Sequence, residues 1–327
     1  MVASRKTIVK LSLSILVAAG LGGLGQAAAR GMVFYLVSHG GPGDPFWNPV
    51  IKGAQLAAEQ LGVTLHYESP QVQGNVAGVI RLLNSAIAAR PAGIGVTVDN
   101  TRGFEAPLQE AQRLGIPVVA FNTTPNTVNL KLTPFLSYVG QNNYTAGEGV
   151  AQAALAAFKL HSGDLVGIVN HQAGNTSLTS RIDGMRKVLG AAGVLVKVLT
   201  TPGSNPTQSE AILQSFLAKY PNTKALLTVG PLGYQPAAIV LKRNHMIGKV
   251  GLSGMDLNTA GLKLIQSGAM AFTWDQQPFV QGYMTVVELY LKAKYGFNPP
   301  SFYNTGVGLI DHSNVGNWIS LVKRGDD

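Results

Sequence analysis

Short apolar runs alternate with helical patterns along most of the chain. Runs rich in β-branched residues predict strands at 33–38, 63–69, 93–98, 117–122, 164–170, 194–200, 225–230, 249–256 and 269–276. Apolar positions with a helical period predict helices near 48–62, 75–89, 103–114, 177–192, 207–219, 234–244 and 258–267. Because β and α elements alternate and the strands are almost continuously apolar, we expect parallel sheets covered by helices on both faces. The pattern therefore predicts an α/β fold of two doubly wound parallel-sheet lobes, one for each group of strands.

Many of the predicted strands end in polar residues. These are Ser38 and His39, Asn122, Asn170 and His171, Asp256, and Asp275, Gln276 and Gln277. In open parallel sheets, ligands bind beyond the carboxyl ends of the strands. Because both groups of strands supply such residues, the pattern predicts a ligand cleft between the two lobes.

Residues 1–29 have the composition of a secretory signal. Three basic residues precede an apolar run at 11–25, and Ala27 and Ala29 match an A-x-A cleavage site. A membrane anchor is the alternative, but the run is shorter and richer in glycine than a spanning helix of about 20 residues. We therefore expect cleavage near Ala29 and a periplasmic location.

Composition and charge further narrow the classes of protein to which this chain can belong. The chain has 327 residues, of which 46% are hydrophobic and 13% charged, and this balance excludes a disordered protein. The absence of Cys excludes disulfides, thiolate metal sites and a lipid-modified N-terminal cysteine. The formal net charge is +9, and removal of the three bases of the signal leaves +6. We therefore expect an exported protein without a lipid anchor.

The loop after the first strand, at 39–49, is a candidate for ligand contacts. Phe46 and Trp47 lie where a helix begins, and an aromatic face can stack on the C–H face of a sugar ring. Asp44 can accept hydrogen bonds from hydroxyl groups. The alternative is a helix entry whose aromatic side chains pack into the core, and the composition favours neither reading.

Three residues of the second half are further candidates. Arg181 lies near a helix start and offers a rigid fork of donors, although a solvated surface arginine is the alternative. Asp256 ends a strand and is either a ligand contact or the N-cap of the next helix. Gln276 precedes a helix, where capping is likewise an alternative.

Catalytic and nucleic-acid functions find little support. The six histidines form no H-x-x-x-H pair, and the chain has no G-x-S-x-G elbow and no phosphate-binding loop. His39 and His171 both end strands, but no nucleophile or metal ligand accompanies them. The basic residues are dispersed, without a basic stripe or a helix-turn-helix. We therefore expect no enzyme, no metal, no cofactor and no nucleic-acid partner.

Motifs along nearly the whole mature chain resemble a known family. They are G-D-P-F-W at 43–47, K-G-A at 52–54, G-I-P-V-V at 115–119, Y-V-G-Q-N-N-Y-x-A-G at 138–147, N-H-Q-A-G-N at 170–175, R-x-x-G at 181–184 and D-Q-Q-P-x-x-Q-G-Y at 275–283. In this order and spacing they resemble the sugar-binding proteins of bacterial ABC importers, the type I periplasmic binding proteins of the ribose/galactose kind. The resemblance implies a protein that captures a small sugar or polyol by lobe closure and delivers it to a permease in the inner membrane as a monomer.

The resemblance also implies a domain plan. Two lobes would be joined by three crossovers, near Gly140, Gln277 and Tyr303. The N-terminal lobe would comprise 30–139 plus 277–302, and the C-terminal lobe 140–276 plus 303–327. The cleft between them would hold the ligand.

The resemblance assigns roles to the candidate residues. Phe46 and Trp47 would enclose the sugar, and the hydrogen-bonding positions of the family correspond to Asp44, Asn122, Arg181, Asp256 and Gln276. Departures at Thr123, Asn205 and Gly230 remove side chains that the ribose binders use, so ribose itself is not implied.

Several polar groups have no counterpart in the ribose pattern. His39, His171 and Gln172 are extra groups that would suit another sugar or polyol. Trp274 is a further candidate because the pair formed with Asp275 is similar to one in autoinducer-2 binders. A receptor for such a signal ligand is the alternative on the same fold.

Overall fold

The computed structural model describes residues 31–42, 44–124, 129–306 and 308–326, with the side chain of Thr101 outside the description. The predicted signal at 1–29 therefore lies outside the described residues. Strands occur in chain order as β1 Val33–Val37, β2 Thr64–Glu68, β3 Gly93–Val96, β4 Val118–Phe121, β5 Ser137–Gly140, β6 Leu165–Asn170, β7 Leu195–Thr200, β8 Thr223–Thr228, β9 Gly251–Met255, β10 Phe272–Asp275, β11 Phe302–Asn304 and β12 Gly308–Asp311. Helices are α1 Trp47–Leu61, α2 Val76–Ala88, α3 Thr101–Arg113, α4 Asn143–Ala157, α5 Thr176–Ala191, α6 Pro206–Lys219, α7 Pro231–Arg243, α8 Thr259–Gln266, α9 Pro278–Tyr295 and α10 Ile319–Arg324.

The strands form two sheets of six. The first sheet has the order β2-β1-β3-β4-β5-β11, and the second has β7-β6-β8-β9-β10-β12. Neighbouring strands are parallel, except that β12 runs antiparallel to β10. In each sheet the strand order reverses beside the first strand of the group, β1 or β6, and such switch points are where α/β folds bind ligands. The predicted α/β fold with two doubly wound lobes is confirmed.

Apolar side chains cover both faces of each sheet. In the first sheet, Phe34 and Leu36 lie in the core on one face, with α1 and α9, while Ile94 and Val96 lie in the core on the other. The second sheet is covered in the same way by two separate cores. Burial on both faces explains why the strands read as continuous apolar runs.

The chain passes between the two sheets three times. The crossings lie at 141–142 between β5 and α4, at 276–277 between β10 and α9, and between β11 and β12, beginning at 305–306. The first lobe therefore combines the first sheet with α1, α2, α3 and α9, and the second lobe contains the remaining elements. The domain plan placed Gly140, Tyr303 and Asn304 in the C-terminal lobe, but all three lie in the first sheet because β11 pairs with β5 and Phe302 stacks on Tyr138 at 5.6 Å.

The apolar pattern did not predict every element. β5 and α4 occupy a stretch that reads as polar, because β5 contains only four residues and α4 is rich in alanine and glycine. α9 and the C-terminal strands were also not predicted. Within the described ranges, no helix has the length and apolar content needed to cross a bilayer.

Candidate functional site

A buried polar cavity of about 40 Å³ lies between the lobes, at the carboxyl ends of the strands. Ten residues proposed from the sequence line it: His39, Asp44, Phe46, Trp47, Asn122, His171, Gln172, Arg181, Asp256 and Gln276. Both lobes contribute, as expected for a cleft. The binding roles of these residues stay predictions, but their common location is a finding.

Trp274 is the candidate that lies elsewhere. It sits in β10 and packs partly buried against the core beneath α4, with its ring against Gly149. Alternation along the strand directs its side chain away from the cleft. Trp274, proposed because its pair with Asp275 resembles one in autoinducer-2 binders, therefore does not line this cavity.

Other lining residues were not identified from the sequence. They are Gln73, Asn175, Ser177, Leu178, Val229 and Pro231. Gln73 donates from Nε2 to Asp44 Oδ2 at 2.7 Å and lies 3.5 Å from Gln172 Oε1 across the cleft. Asn175 follows a glycine and precedes a helical pattern, so its sequence context predicts an N-cap but not its place in the cavity.

Arg181 is buried, and hydrogen-bond acceptors around it orient its guanidinium group. Its side chain is only 4% exposed, which excludes a solvated surface arginine. Nε donates to Asn143 Oδ1 at 2.8 Å, and Nη1 donates to the Val229 carbonyl at 2.7 Å. Nη1 also lies 3.5 Å from Asp256 Oδ2. These contacts hold the guanidinium group at the cavity wall.

Asp256 faces the cavity rather than capping a helix. Asn258 is the N-cap of α8, since its Oδ1 accepts from the Gly261 backbone N–H at 2.9 Å. Asp256 Oδ1 instead accepts from Gln276 Nε2 at 2.6 Å. Burial raises the pKa of the Asp256 carboxyl, and the Arg181 guanidinium opposes that shift.

Gln276 and Asn122 are linked through one buried glutamine. Gln281 Nε2 donates to Gln276 Oε1 at 2.9 Å and to Thr305 Oγ1 at 3.1 Å. Gln281 Oε1 accepts from Asn122 Nδ2 at 3.1 Å. Thr305 and Gln276 both lie at crossings between the lobes, so the polar network extends from the cavity into the hinge.

Phe46 and Trp47 belong to both the cavity wall and the core. They are 8% and 4% exposed, and they meet edge to face at 5.2 Å. Trp47 also meets Phe121 at 6.4 Å and His39 at 4.9 Å. The two alternatives drawn from the sequence are therefore compatible, because the same rings support the first lobe and face the cleft.

Burial sets the charge state of the cavity. It raises the pKa of Asp44 to about 6, and it lowers the pKa of His171 to about 3 with help from Arg181. It also lowers the pKa of His39, although Asp99 opposes this change. Both histidines are therefore neutral near pH 7.

This arrangement suits an uncharged ligand that carries many hydroxyl groups. The carboxylates accept hydrogen bonds, the guanidinium and amide groups donate them, and two aromatic rings provide an apolar wall. Among the described residues, no group of three His, Cys, Asp or Glu side chains could hold a metal ion.

A family model described as a periplasmic binding protein domain matches residues 34–296. The chain belongs to this family. Membership confirms the recognition made from the motifs and the expectation of a solute-binding protein rather than an enzyme. The xylose/arabinose-binding protein of Sulfolobus acidocaldarius is 28% identical over 83% of this chain and 69% of its own length. The D-allose-binding periplasmic protein of Escherichia coli is 23% identical over 72% of this chain and 76% of its own.

Solved structures of the family show the same architecture. A carbohydrate transporter protein from Acidothermus cellulolyticus, in complex with myo-inositol, is 27% identical and superposes with a TM-score of 0.82. The superposition covers 91% of this chain and 100% of that one. A periplasmic sugar-binding protein of an ABC sugar transporter from Legionella pneumophila is 28% identical, with a TM-score of 0.79 over 84% of this chain and 100% of that one.

Proposed function

We propose that the protein captures a small neutral sugar or polyol between its lobes and delivers it to an ABC permease. The observation that carries this proposal is one buried cavity in which Arg181, Asp256 and Gln276 of the second lobe face Asp44 and Trp47 of the first. The pentose, hexose and inositol ligands named for the relatives belong to the same chemical class.

Closure of the lobes would provide specificity. Each polar group that closure buries must find a hydrogen-bond partner, and an unsatisfied buried group costs about 1–3 kcal/mol. A sugar that lacks one hydroxyl would leave part of the hydrogen-bonding capacity of Asp256 or Asn122 unsatisfied and would bind more weakly. The hinge network through Gln281 would couple this pairing to the crossings, because Gln276 and Asn122 both bond to it.

The remaining features of the proposal concern location and partners. Residues 1–29 would direct export to the periplasm, where the mature protein would act as a monomer. The crossings would form the hinge between the lobes of the predicted domain plan. The closed form would dock on the permease, which would receive the sugar when the lobes reopen.

A calorimetric and thermal-shift panel tests the ligand class. The mature protein is mixed with D-xylose, L-arabinose, D-allose, D-ribose, D-galactose and myo-inositol, with an anionic sugar phosphate as the chemical contrast. We expect one neutral member to raise the melting temperature, since a ligand at 100 times its Kd stabilises by about 2.7 kcal/mol. Binding of the sugar phosphate alone, or turnover of a bound sugar, would contradict the proposal.

A further inference from the structure

A buried chain of three side chains crosses the cleft beside the cavity. His39 follows β1 in the first lobe, and its Nδ1 lies 3.5 Å from Oδ1 of Asp99, which lies in the segment between β3 and α3. On the other side, His39 Nε2 lies 3.4 Å from Asn175 Nδ2 of the second lobe. The three residues are 5%, 3% and 5% exposed. The ring of His39 therefore connects a carboxylate of its own lobe to an amide of the opposite lobe.

The helix cap in the second lobe determines the direction of these contacts. Asn175 is the N-cap of α5, and its Oδ1 accepts from the Leu178 backbone N–H at 3.0 Å. The amide oxygen is therefore engaged, and the Nδ2 group that faces His39 is a donor. His39 must accept at Nε2, so its single proton resides on Nδ1 and faces Asp99. The Asp99 carboxylate therefore favours the His39 tautomer whose Nε2 can accept a hydrogen bond from Asn175 of the opposite lobe.

We propose that Asp99, His39 and Asn175 form a latch that holds the two lobes closed only while His39 is neutral. Protonation would place an N–H on Nε2, directly against the N–H groups of Asn175, and two donors would then face each other. Asp99 is a positioning residue in this latch, since it acts through His39. The proposal rests on the lobe closure of the proposed function and adds to it a control by pH.

The charged groups around His39 fix the sign of the effect. Asp99 favours the protonated ring, whereas burial and the Arg181 guanidinium oppose it, with burial the largest influence. His171 of the second lobe is buried in the same cavity and interacts with His39. Asp44 and Asp256 complete the titratable groups of the site.

Below pH 6.5, the ordinary pKa of histidine, each ring is mostly protonated in the open form and must release that proton when the lobes close. At about pH 6, we expect the closed-to-open ratio to be about fourfold lower for each histidine than at about pH 8. Asp44 acts in the opposite direction, because a pKa of about 6 in the closed form means that closure takes up protons near and below pH 6 and there offsets about half of the effect of one histidine. Burial also raises the pKa values of Asp99 and Asp256, and these carboxyls oppose the histidines in the same way. A comparison of the wild type with His39→Gln at both pH values therefore isolates the contribution of His39.

The absence of Cys makes lobe closure directly measurable without a sugar. Ser85→Cys in α2 and Ser215→Cys in α6 introduce the two thiols at exposed positions, one in each lobe. Dyes on these thiols report the inter-lobe distance in buffer alone by energy transfer. We expect a closed population at about pH 8 that falls at about pH 6. A protein that is open at both pH values, or equally closed at both, would overturn the proposal.

Reversing the polarity of the chain gives the sharpest test. Asn175→Asp keeps an N-cap oxygen for α5 but places a carboxylate against Nε2, where the neutral ring that Asp99 orients can no longer accept a hydrogen bond. We therefore expect its closed-to-open ratio at pH 8 to fall at least about tenfold. Asp99→Asn, added to this variant, supplies an amide that can donate to Nδ1, so that Nε2–H can donate to the carboxylate at position 175, and we expect the double variant to restore closure.

His39→Gln serves as the matched control because its amide oxygen can accept from Asn175 without titrating. We expect it to close at pH 8 and to keep only the pH dependence that His171 and the buried carboxyls contribute. Wild-type closure in Asn175→Asp at pH 8, or a double variant no more closed than Asn175→Asp, would overturn the latch. Circular dichroism verifies that each variant is folded. Because the readout uses no sugar, a negative ligand panel would refute the proposed ligand class and leave the latch intact.

Discussion

Asn122 and Asp256 occupy equivalent positions in the two lobes. Asn122 follows β4 and Asp256 follows β9, each the fourth strand of its own lobe, and both residues have positive φ values of 64° and 68°. Their backbone N–H groups donate to the adjacent strand at 2.9 and 2.8 Å. Asn and Asp tolerate this left-handed conformation better than most residues do. The two lobes thus present one amide and one carboxylate to the cleft from the same backbone geometry.

The Arg181 guanidinium should contribute most to ligand affinity among the cavity groups of the second lobe. Arg181→Ala removes a buried charged donor and leaves Asp256 without its cation. A hydrogen bond to a charged group is worth about 1.5–3 kcal/mol. We therefore expect the Kd for the sugar identified by the panel to rise at least about tenfold in isothermal titration calorimetry.

An exposed arginine of the same helix provides the control for this prediction. Arg186 lies one turn further along α5, and we expect Arg186→Ala to bind as the wild type does. Arg181→Lys retains the charge but loses the fork that reaches both Asn143 and Val229, so it should recover only part of the affinity. Equal sugar affinity in Arg181→Ala, Arg181→Lys and Arg186→Ala would show that Arg181 does not contact the ligand.

Trp47 should affect both stability and binding, since its ring lies in the core and at the cavity wall. Truncation of a large buried aromatic side chain costs about 3–5 kcal/mol. We expect Trp47→Ala to lower the melting temperature in the absence of sugar and to weaken binding as well. Phe297→Ala is the matched control, because that ring is 63% exposed. Loss of stability without any loss of affinity would make Trp47 a core residue alone.

The sequence predicted most of the fold because buried parallel strands leave an unmistakable apolar signal. The run at 164–170 matches β6, Leu165–Asn170, within one residue. The same reasoning could not find β5 or α4. A four-residue strand that contains Ser137 and Gly140 has little apolar contrast, and α4 packs through small side chains that carry no clear periodic pattern.

The cavity was predictable only where its residues end strands. Asn122, His171 and Asp256 follow apolar runs, and the topology brings such ends together. Gln73 and Asn175 lie in loops that lead into helices, so their position depends on how the lobes close. Trp274 lies next to a polar strand end but outside the cavity. Its case shows that proximity to such an end in sequence does not determine on which face of the sheet a side chain lies.

The buried carboxyl of Glu288 should make stability depend on pH. Glu288 lies in α9 at 2% exposure, and burial raises its pKa from 4.5 to about 7, with a smaller opposing effect from Ser137. Because the folded state retains this proton longer than the unfolded state, the free energy of unfolding should fall between about pH 4.5 and 7 and level off above that. We expect Glu288→Gln to reduce this slope.

The size of the effect can be measured by urea denaturation across that pH range. Glu288→Gln should stabilise the protein at pH 8 by on the order of 2–3 kcal/mol and change little at pH 4. Glu59→Gln in α1 alters an exposed carboxyl and serves as the control. A gain for Glu288→Gln that is the same at both pH values would contradict a buried, protonated Glu288.

Two glycines in α5 should respond in opposite ways to alanine. A Cβ at Gly184 would collide with the Tyr144 carbonyl of α4, and only a shift of one helix could relieve the clash. Gly190 lies in the same helix with no atom within 4 Å of the equivalent position. Overpacking costs about 1–3 kcal/mol, whereas alanine at an exposed helical site gains up to about 1 kcal/mol over glycine.

We therefore expect Gly184→Ala to lower the melting temperature and Gly190→Ala to leave it unchanged or raise it. The close approach is reciprocal, because a Cβ at Gly147 of α4 would meet the Arg181 carbonyl of α5. Movement of α5 would displace the Arg181 guanidinium from Val229 and Asp256, so Gly184→Ala should also weaken sugar binding. Calorimetry on both variants separates the two effects. Unchanged affinity in a destabilised Gly184→Ala would mean that the α4–α5 contact supports the lobe without positioning Arg181.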